Sequence, residues 1–276
     1  MSNDLTTIRP EIRTIDGLAI RIAKGERNLN LGAEALLMSP WPESLYAFEP
    51  TWAKLAKHAN LTAIDLPGFG HSEGREALMS PSAMGDFIVR IADELGLETP
   101  HVVGPDVGTA ASLFAAVRHP GRFRSIVIGT GGAAVPLDLG EPLKGWVEGD
   151  IEPYRSMDGR DVAAAAVSTL ERYTPSDTAR EDYLSGYAGE RFYKSLSYVR
   201  QYPRELPILR DLLGSIRTPV KIISGAHDQV VPPVNATFLA DRIPGSEVAF
   251  IDAGHFIWED GADAYAAQVT AWWDRH

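Results

Sequence analysis

The sequence predicts an α/β protein: a mostly parallel sheet with helices on both faces. Three observations carry this. Short apolar segments of strand length alternate with longer segments of helical periodicity over most of the 276 residues. Glycine, proline and aspartate punctuate the joins. Reactive side chains stand just after several of the apolar segments, which in open α/β sheets is where ligands bind. The length suits one large α/β domain with an insertion.

The elements follow in order. "EIRTIDG" and "LAIRIAKG" read as two antiparallel strands joined at Asp16-Gly17. "AEALLMSP" is a short strand ended by proline. Ser44 is a cap for the helix "LYAFEPTWAKLAKH", in which Pro50 must bend the helix or start it afresh. "LTAIDLPGFGHS" is a strand entering a turn-rich loop. Ser80-Pro81 opens a helix whose apolar face is Met84, Phe87, Ile88, Ile91, Ala92 and Leu95. "HVVGPDVG" is a buried strand with a glycine-framed turn, followed by the alanine-rich helix "TAASLFAAV". "FRSIVIGTGG", "PVKIISGAHD" and "SEVAFIDAGH" are further strands, and "GADAYAAQVTAWWDRH" is a closing helix in which Trp272-Trp273 packs the core. One region breaks the alternation. From about Ala134 to Leu213 there is no strand signal, and the segment holds seven of the nine tyrosines. It reads as a helical cap inserted into a core made of 1–133 and 214–276. The alanine run "DVAAAAVSTL" within it is plain helix.

Composition narrows the function. Hydrophobic residues are 45% and charged residues 23%, with a net charge of −11. So acidic a chain is a poor partner for a phosphate backbone or an anionic membrane surface. The absence of cysteine excludes disulfides, thiolate metal sites and cysteine nucleophiles. "MSNDLTTIRP" lacks the apolar core of a signal peptide, and no apolar run reaches membrane-spanning length. The expectation is a cytoplasmic protein acting on a small, largely apolar, uncharged molecule. Its oligomeric state is open between a monomer and a homodimer.

Three reactive groups lie at the C-terminal ends of predicted strands: Asp106 in "GPDVG", Asp228 in "GAHDQVVPP" and His255 in "DAGHFIWED". Each has a bland reading. Asp106 alone is a candidate N-cap for the following helix. Asp228 alone is a common loop aspartate, and His255 alone a loop histidine. The flanking glycines and the order nucleophile, acid, histidine favour a triad. His71 in "GFGHS" reads as a loop-structuring residue rather than a base.

With these motifs the chain resembles the α/β-hydrolase superfamily over nearly its whole length outside the cap. "DLPGFGHSEG" and "GHFIWED" are similar to that family's loops, and "SPWPES" falls where it usually has His-Gly-x-Pro. The resemblance implies an eight-stranded sheet and an elbow turn that presents the nucleophile. Aspartate there resembles the branch of epoxide hydrolases and of haloalkane and haloacetate dehalogenases. A carboxylate is ionised near neutral pH without help from a base. It can attack saturated carbon to give an enzyme ester, which water activated by His255 and Asp228 then hydrolyses. By the family's geometry the backbone N–H groups of Trp41 and Val107 form the oxyanion hole. No metal or organic cofactor is implied.

The leaving group depends on the cap. Val107 follows the nucleophile where the resemblance would put a halide-binding tryptophan or a carboxylate-binding arginine. Epoxide opening instead needs a proton donor, and tyrosine is neutral at pH 7. Tyr154, Tyr198 and Tyr202 are the candidates. Trp41 reads as a pocket wall, with an indole donor to a halide or epoxide oxygen as its alternative. Epoxide hydrolysis leads. Dehalogenation by the same mechanism is second. A ligand-binding protein or cofactor-free lyase on the same fold, without covalent catalysis, is the reading from another class.

Overall fold

The computed structural model describes residues 7–276. The first six residues, part of the polar N-terminal stretch read above, lie outside the described residues.

In chain order the strands are β1 (Pro10–Ile15), β2 (Leu18–Lys24), β3 (Glu34–Met38), β4 (Asn60–Ile64), β5 (His101–Pro105), β6 (Ser125–Gly129), β7 (Val220–Gly225) and β8 (Glu247–Ile251). They form a single eight-stranded sheet in the order β1-β2-β4-β3-β5-β6-β7-β8. The β1–β2 and β2–β4 pairs are antiparallel, and all other pairs are parallel. The β1–β2 turn falls at Asp16-Gly17, where both residues have positive φ (49° and 75°), the backbone a tight two-residue hairpin requires.

The helices of the core are α1 (Glu49–Leu55), α2 (Pro81–Glu94) and α3 (Val107–Arg118), with α10 (Val234–Ala240), α11 (Ile257–Asp260) and α12 (Ala262–Trp273) after β7. Pro50 acts as expected. Ser44 caps only a 3₁₀ turn over Leu45–Phe48, and α1 starts afresh with Pro50 in its first turn. Ser80 caps α2 by accepting from the Ala83 N–H (3.3 Å), with Pro81 at its first position. Met84, Phe87, Ile88, Ile91 and Ala92 are buried as the periodicity requires.

Between β6 and β7 the chain is helical: α4 (Leu143–Glu148), α5 (Glu152–Arg155), α6 (Gly159–Val167), α7 (Asp177–Gly186), α8 (Arg191–Val199) and α9 (Tyr202–Leu212). No strand interrupts it. The central strands are apolar on both faces because both are covered. Val102, Ile126 and Ile222 enter the core layer shared with α2, α3 and the inserted helices. Their neighbours Val103, Val127 and Ile223 point the other way, into the layer with α1 and α12, where Trp272 and Trp273 are buried.

One buried ion network ties the inserted segment to the core. Arg21 on β2 donates to Asp182 on α7 with both terminal nitrogens (2.8 and 2.5 Å) and to the fully buried Asp65 after β4 (3.3 Å). Asp65 also accepts the backbone N–H groups of Leu45 (2.7 Å) and His71 (3.0 Å). The His71 ring reaches the Asp182 carbonyl oxygen (3.1 Å), which makes it part of this loop structure.

Candidate active site

The turn after β5 places Asp106 in a conformation that L-residues rarely adopt, φ 51° and ψ −120°. Such strain costs of order 1–3 kcal/mol and persists only where the surroundings enforce it. Two restraints are visible. The Asp106 N–H donates to the Gly129 carbonyl (2.9 Å), and Thr109 Oγ1 bonds the same carbonyl (3.0 Å), so the elbow is pinned to the end of β6. The framing glycines differ in role. A Cβ on Gly104 would lie 2.4 Å from Ser112 Oγ and 2.6 Å from Met38 Cε, whereas one on Gly108 would meet nothing closer than 3.6 Å. Only Gly104 is needed for close approach of strand and helix.

The Asp106 side chain does not cap α3. Its Oδ2 accepts the Trp41 N–H at 2.7 Å, and the neighbouring Val107 amide also favours the ionised carboxyl. Pro40 has no N–H to offer, but the donor belongs to Trp41, so the change from His-Gly to Ser39-Pro40 leaves it in place. The other oxygen, Oδ1, faces His255 Nε2 at 3.9 Å, beyond hydrogen-bond range. His255 Nδ1 lies 2.9 Å from Asp228 Oδ2. Asp228 Oδ1 accepts the N–H groups of Val230 (2.9 Å) and Val231 (2.8 Å), which fixes the acid in its loop.

Burial sets the electrostatics. Asp106 is pushed up to about 6, chiefly by loss of water, against the lowering effects of His255 and the two amides. Burial alone would lower His255, but the Asp228 and Asp106 charges outweigh it and hold the imidazole above its ordinary value. At neutral pH Asp106 is therefore ionised.

A cavity of about 430 Å³ opens onto Asp106 and His255. Trp41 and Phe256 wall it on the core side, and Trp146 and Tyr154 on the side of the inserted helices. Among the described residues no lysine or arginine lines it. Trp41 is a wall, as the first of its two readings had it. Its indole N–H donates to Ser195 Oγ (2.9 Å), which corrects the alternative of a donor aimed at a halide or epoxide oxygen.

Of the three tyrosine candidates only Tyr154 lines the cavity. The Tyr198 hydroxyl donates to the Val107 carbonyl (2.7 Å) behind the elbow, so this residue braces the turn. Tyr202 is buried against Gly132 and is not among the residues lining the cavity, although the Asp106 charge reaches both it and Tyr198. Tyr198 sits on α8, which packs on α4 and α6 and touches Trp41 through Phe192 and Ser195, while Tyr202 opens α9, which packs on α3.

The sequence reading passed over two buried acids inside motifs it quoted, Glu43 in "SPWPES" and Glu259 in "HFIWED". Only burial distinguishes them from ordinary surface glutamates. Among the described residues no group of three or more His, Asp or Glu side chains is placed to hold a metal, and no helix is long and apolar enough to cross a membrane.

Comparison with known proteins agrees with this architecture. Residues 36–262 match the family described as alpha/beta hydrolase fold. The acetyltransferase component of an acetoin-cleaving system from Cupriavidus necator is 27% identical over 92% of this chain, which spans 66% of that protein. A 2-hydroxymuconate semialdehyde hydrolase from Pseudomonas sp. strain CF600 is 26% identical over 78% of this chain and 77% of its own. The crystal structure of an epoxide hydrolase from Vigna radiata superposes with a TM-score of 0.76 at 16% identity, covering 98% of each chain. The family match, the eight-stranded sheet and the elbow after β5 together establish that this chain belongs to the alpha/beta hydrolase fold family.

Proposed function

We propose that this protein is a hydrolase that uses Asp106 as a covalent nucleophile, with an epoxide as its substrate class. The observation that carries the reading is the placement of one carboxylate. Oδ2 accepts the Trp41 N–H, Oδ1 faces His255 without being bonded to the imidazole, and Asp106 lines the cavity. A serine in this place would need the histidine's bond to become reactive, whereas an ionised carboxylate does not.

The steps balance as follows. Oδ1 attacks an epoxide carbon, the C–O bond breaks, and the alkoxide takes a proton from Tyr154, the candidate hydroxyl on the cavity wall. Esterification removes the Asp106 charge that helps hold His255 protonated, so the imidazole gives up its proton, which restores the Tyr154 hydroxyl, and becomes a base at the stage that needs one. It takes a proton from water, and hydroxide attacks Cγ of Asp106. The tetrahedral oxyanion develops on Oδ2, where Trp41 and Val107 donate. Collapse releases the diol and restores the carboxylate. The helices at 134–213 act in this reading as a cap over a core of 1–133 and 214–276, closing the cavity from water.

The cavity also argues about substrate charge. Relatives are named for dienedioates, but no lysine or arginine among the described residues lines this cavity to receive such a dianion, and Asp161 adds a carboxylate to its lining. A neutral, largely apolar molecule fits it. Dehalogenation by the same mechanism loses support, because the Trp41 indole is already engaged.

The test is a trapped ester. His255→Gln incubated with a panel of aryl and alkyl epoxides and haloalkanes is expected to gain the whole mass of an epoxide, stably, and Asp106→Asn to gain nothing. A haloalkane adduct, lighter by hydrogen halide, would turn the assignment to dehalogenation. No adduct from any member of the panel would refute the covalent mechanism.

A further inference from the structure

Glu43 and Glu259 are buried beside the site and take no part in the reaction proposed above. Glu43 is fully buried and Glu259 is 3% exposed. Glu43 Oε2 accepts the Trp258 indole N–H (3.0 Å), and Glu259 Oε1 accepts the Tyr183 hydroxyl (2.9 Å). The remaining oxygens, Glu43 Oε1 and Glu259 Oε2, are shut off from solvent with no N–H or O–H donor. They have each other, since the two side chains lie in hydrogen-bonding range.

Proton number follows from this geometry. With no proton, two buried acceptors face each other unpaired. With two, one O–H has no acceptor left. One proton satisfies both oxygens. The surroundings supply no alternative: Asp106 faces Glu43, while Glu49, Asp260 and Tyr183 face Glu259, with Tyr173 beyond Tyr183. These neighbours are all acidic, and neither glutamate forms an ion pair with a lysine or arginine among the described residues.

The pair also sits between three segments that build the site. Glu43 is two residues beyond Trp41, whose N–H holds Asp106 Oδ2. Glu259 is four residues beyond His255, on α11. Tyr183 belongs to α7 of the inserted segment, and Tyr187 from the same helix end donates to the Glu43 carbonyl (3.0 Å).

We propose that Glu43 and Glu259 share a single proton, and that this acid–carboxylate clasp is a positioning pair holding the Trp41 amide and the His255 loop in their places around Asp106. The shared proton stands on the pair's own geometry, and the positioning role rests on the Asp106 reading. Burial raises both groups above the ordinary carboxylate range, and for Glu43 the Glu259 charge adds to it. The one-proton clasp therefore holds from the uptake of a second proton in acid up to the raised folded-state value, and it is lost as pH rises through that value. Beyond that point two buried anions repel, and the Trp41 loop loosens.

Three measurements test this with Glu43→Gln, Glu259→Gln and Glu43→Ala. In infrared difference spectra the wild type is expected to show a protonated-carboxyl band at about pH 7 that Glu43→Gln removes. An unchanged band in both Gln variants overturns the shared proton. In hydrogen exchange, protection of residues 39–45 is expected to fall in the wild type at alkaline pH beyond the intrinsic rise. Glu43→Gln, whose amide can donate to Glu259, keeps that protection. Equal pH dependence in both overturns the clasp, and this readout needs no substrate. In a His255→Gln background, ester formation with styrene oxide is expected to slow about tenfold or more in Glu43→Ala and to stay within about threefold in Glu43→Gln. An adduct that forms in the parent and equally fast in Glu43→Ala overturns the positioning role. No adduct in the parent refutes the Asp106 reading instead, and leaves the clasp to the other two measurements. Should Glu43→Ala fail to fold, the two Gln variants decide.

Discussion

Replacing Asp106 with asparagine removes a buried charge and keeps the side chain's shape. The folded protein holds this carboxyl at about 6 against an ordinary 3.8, with burial the main cause. A difference of roughly 2 units at 1.36 kcal/mol each makes the ionised nucleophile cost the fold about 3 kcal/mol at neutral pH. The sign follows from linkage: a raised carboxyl contributes stability that is complete below about pH 4 and is lost as pH rises through about 6. Asparagine does not titrate, so Asp106→Asn is expected to match the wild type in acid and to exceed it above about pH 7. The gain is set at about 2–3 kcal/mol, because the ionised carboxylate also supports His255. In a chain of this length that is a rise in Tm of about 5 °C. Denaturant unfolding at closely spaced pH values measures it. A gain independent of pH, or no gain at pH 8, would refute the argument that Asp106 is an ionised group held at the expense of stability.

Other outcomes follow from the same geometry. Gly104→Ala is expected to destabilise by about 1–3 kcal/mol through overpacking against Ser112 and Met38, while Gly108→Ala is neutral or stabilising by up to about 1 kcal/mol as a helical substitution; unfolding midpoints of the two separate them. Tyr154→Phe should slow epoxide ring opening by about a hundredfold or more if it is the acid, whereas Tyr198→Phe should cost about 1 kcal/mol of stability with turnover little changed; steady-state kinetics beside melting curves distinguish these roles. Arg21→Ala leaves Asp65 and Asp182 without their cation in a buried site, and a loss of about 3 kcal/mol or more is expected; a loss below 1 kcal/mol in urea titration would show that the network is not holding the inserted segment.

The sequence by itself determined the sheet, the order of its elements and three reactive groups at strand ends. It could do so because those signals are local. Period-2 and period-3.6 patterning marks strands and helices, Pro50 and Pro81 mark helix starts, and Asp16-Gly17 marks a turn whose backbone few other pairs adopt. The meeting of Asp106, Asp228 and His255 was legible because a parallel sheet sends successive strand ends to one edge, whatever the side chains between them. What only the tertiary structure decided is which polar groups are spent on packing. Tyr154, Tyr198 and Tyr202 look alike in the chain, but the packing of α8 beside the elbow commits the Tyr198 hydroxyl to the Val107 carbonyl, while Tyr154 on α5 stands on the cavity wall. The Trp41 indole is likewise taken by Ser195, a residue 154 positions away. Glu43 and Glu259 carry no local sign at all, because desolvation is a property of what surrounds a group, and their surroundings come from three distant segments of the chain.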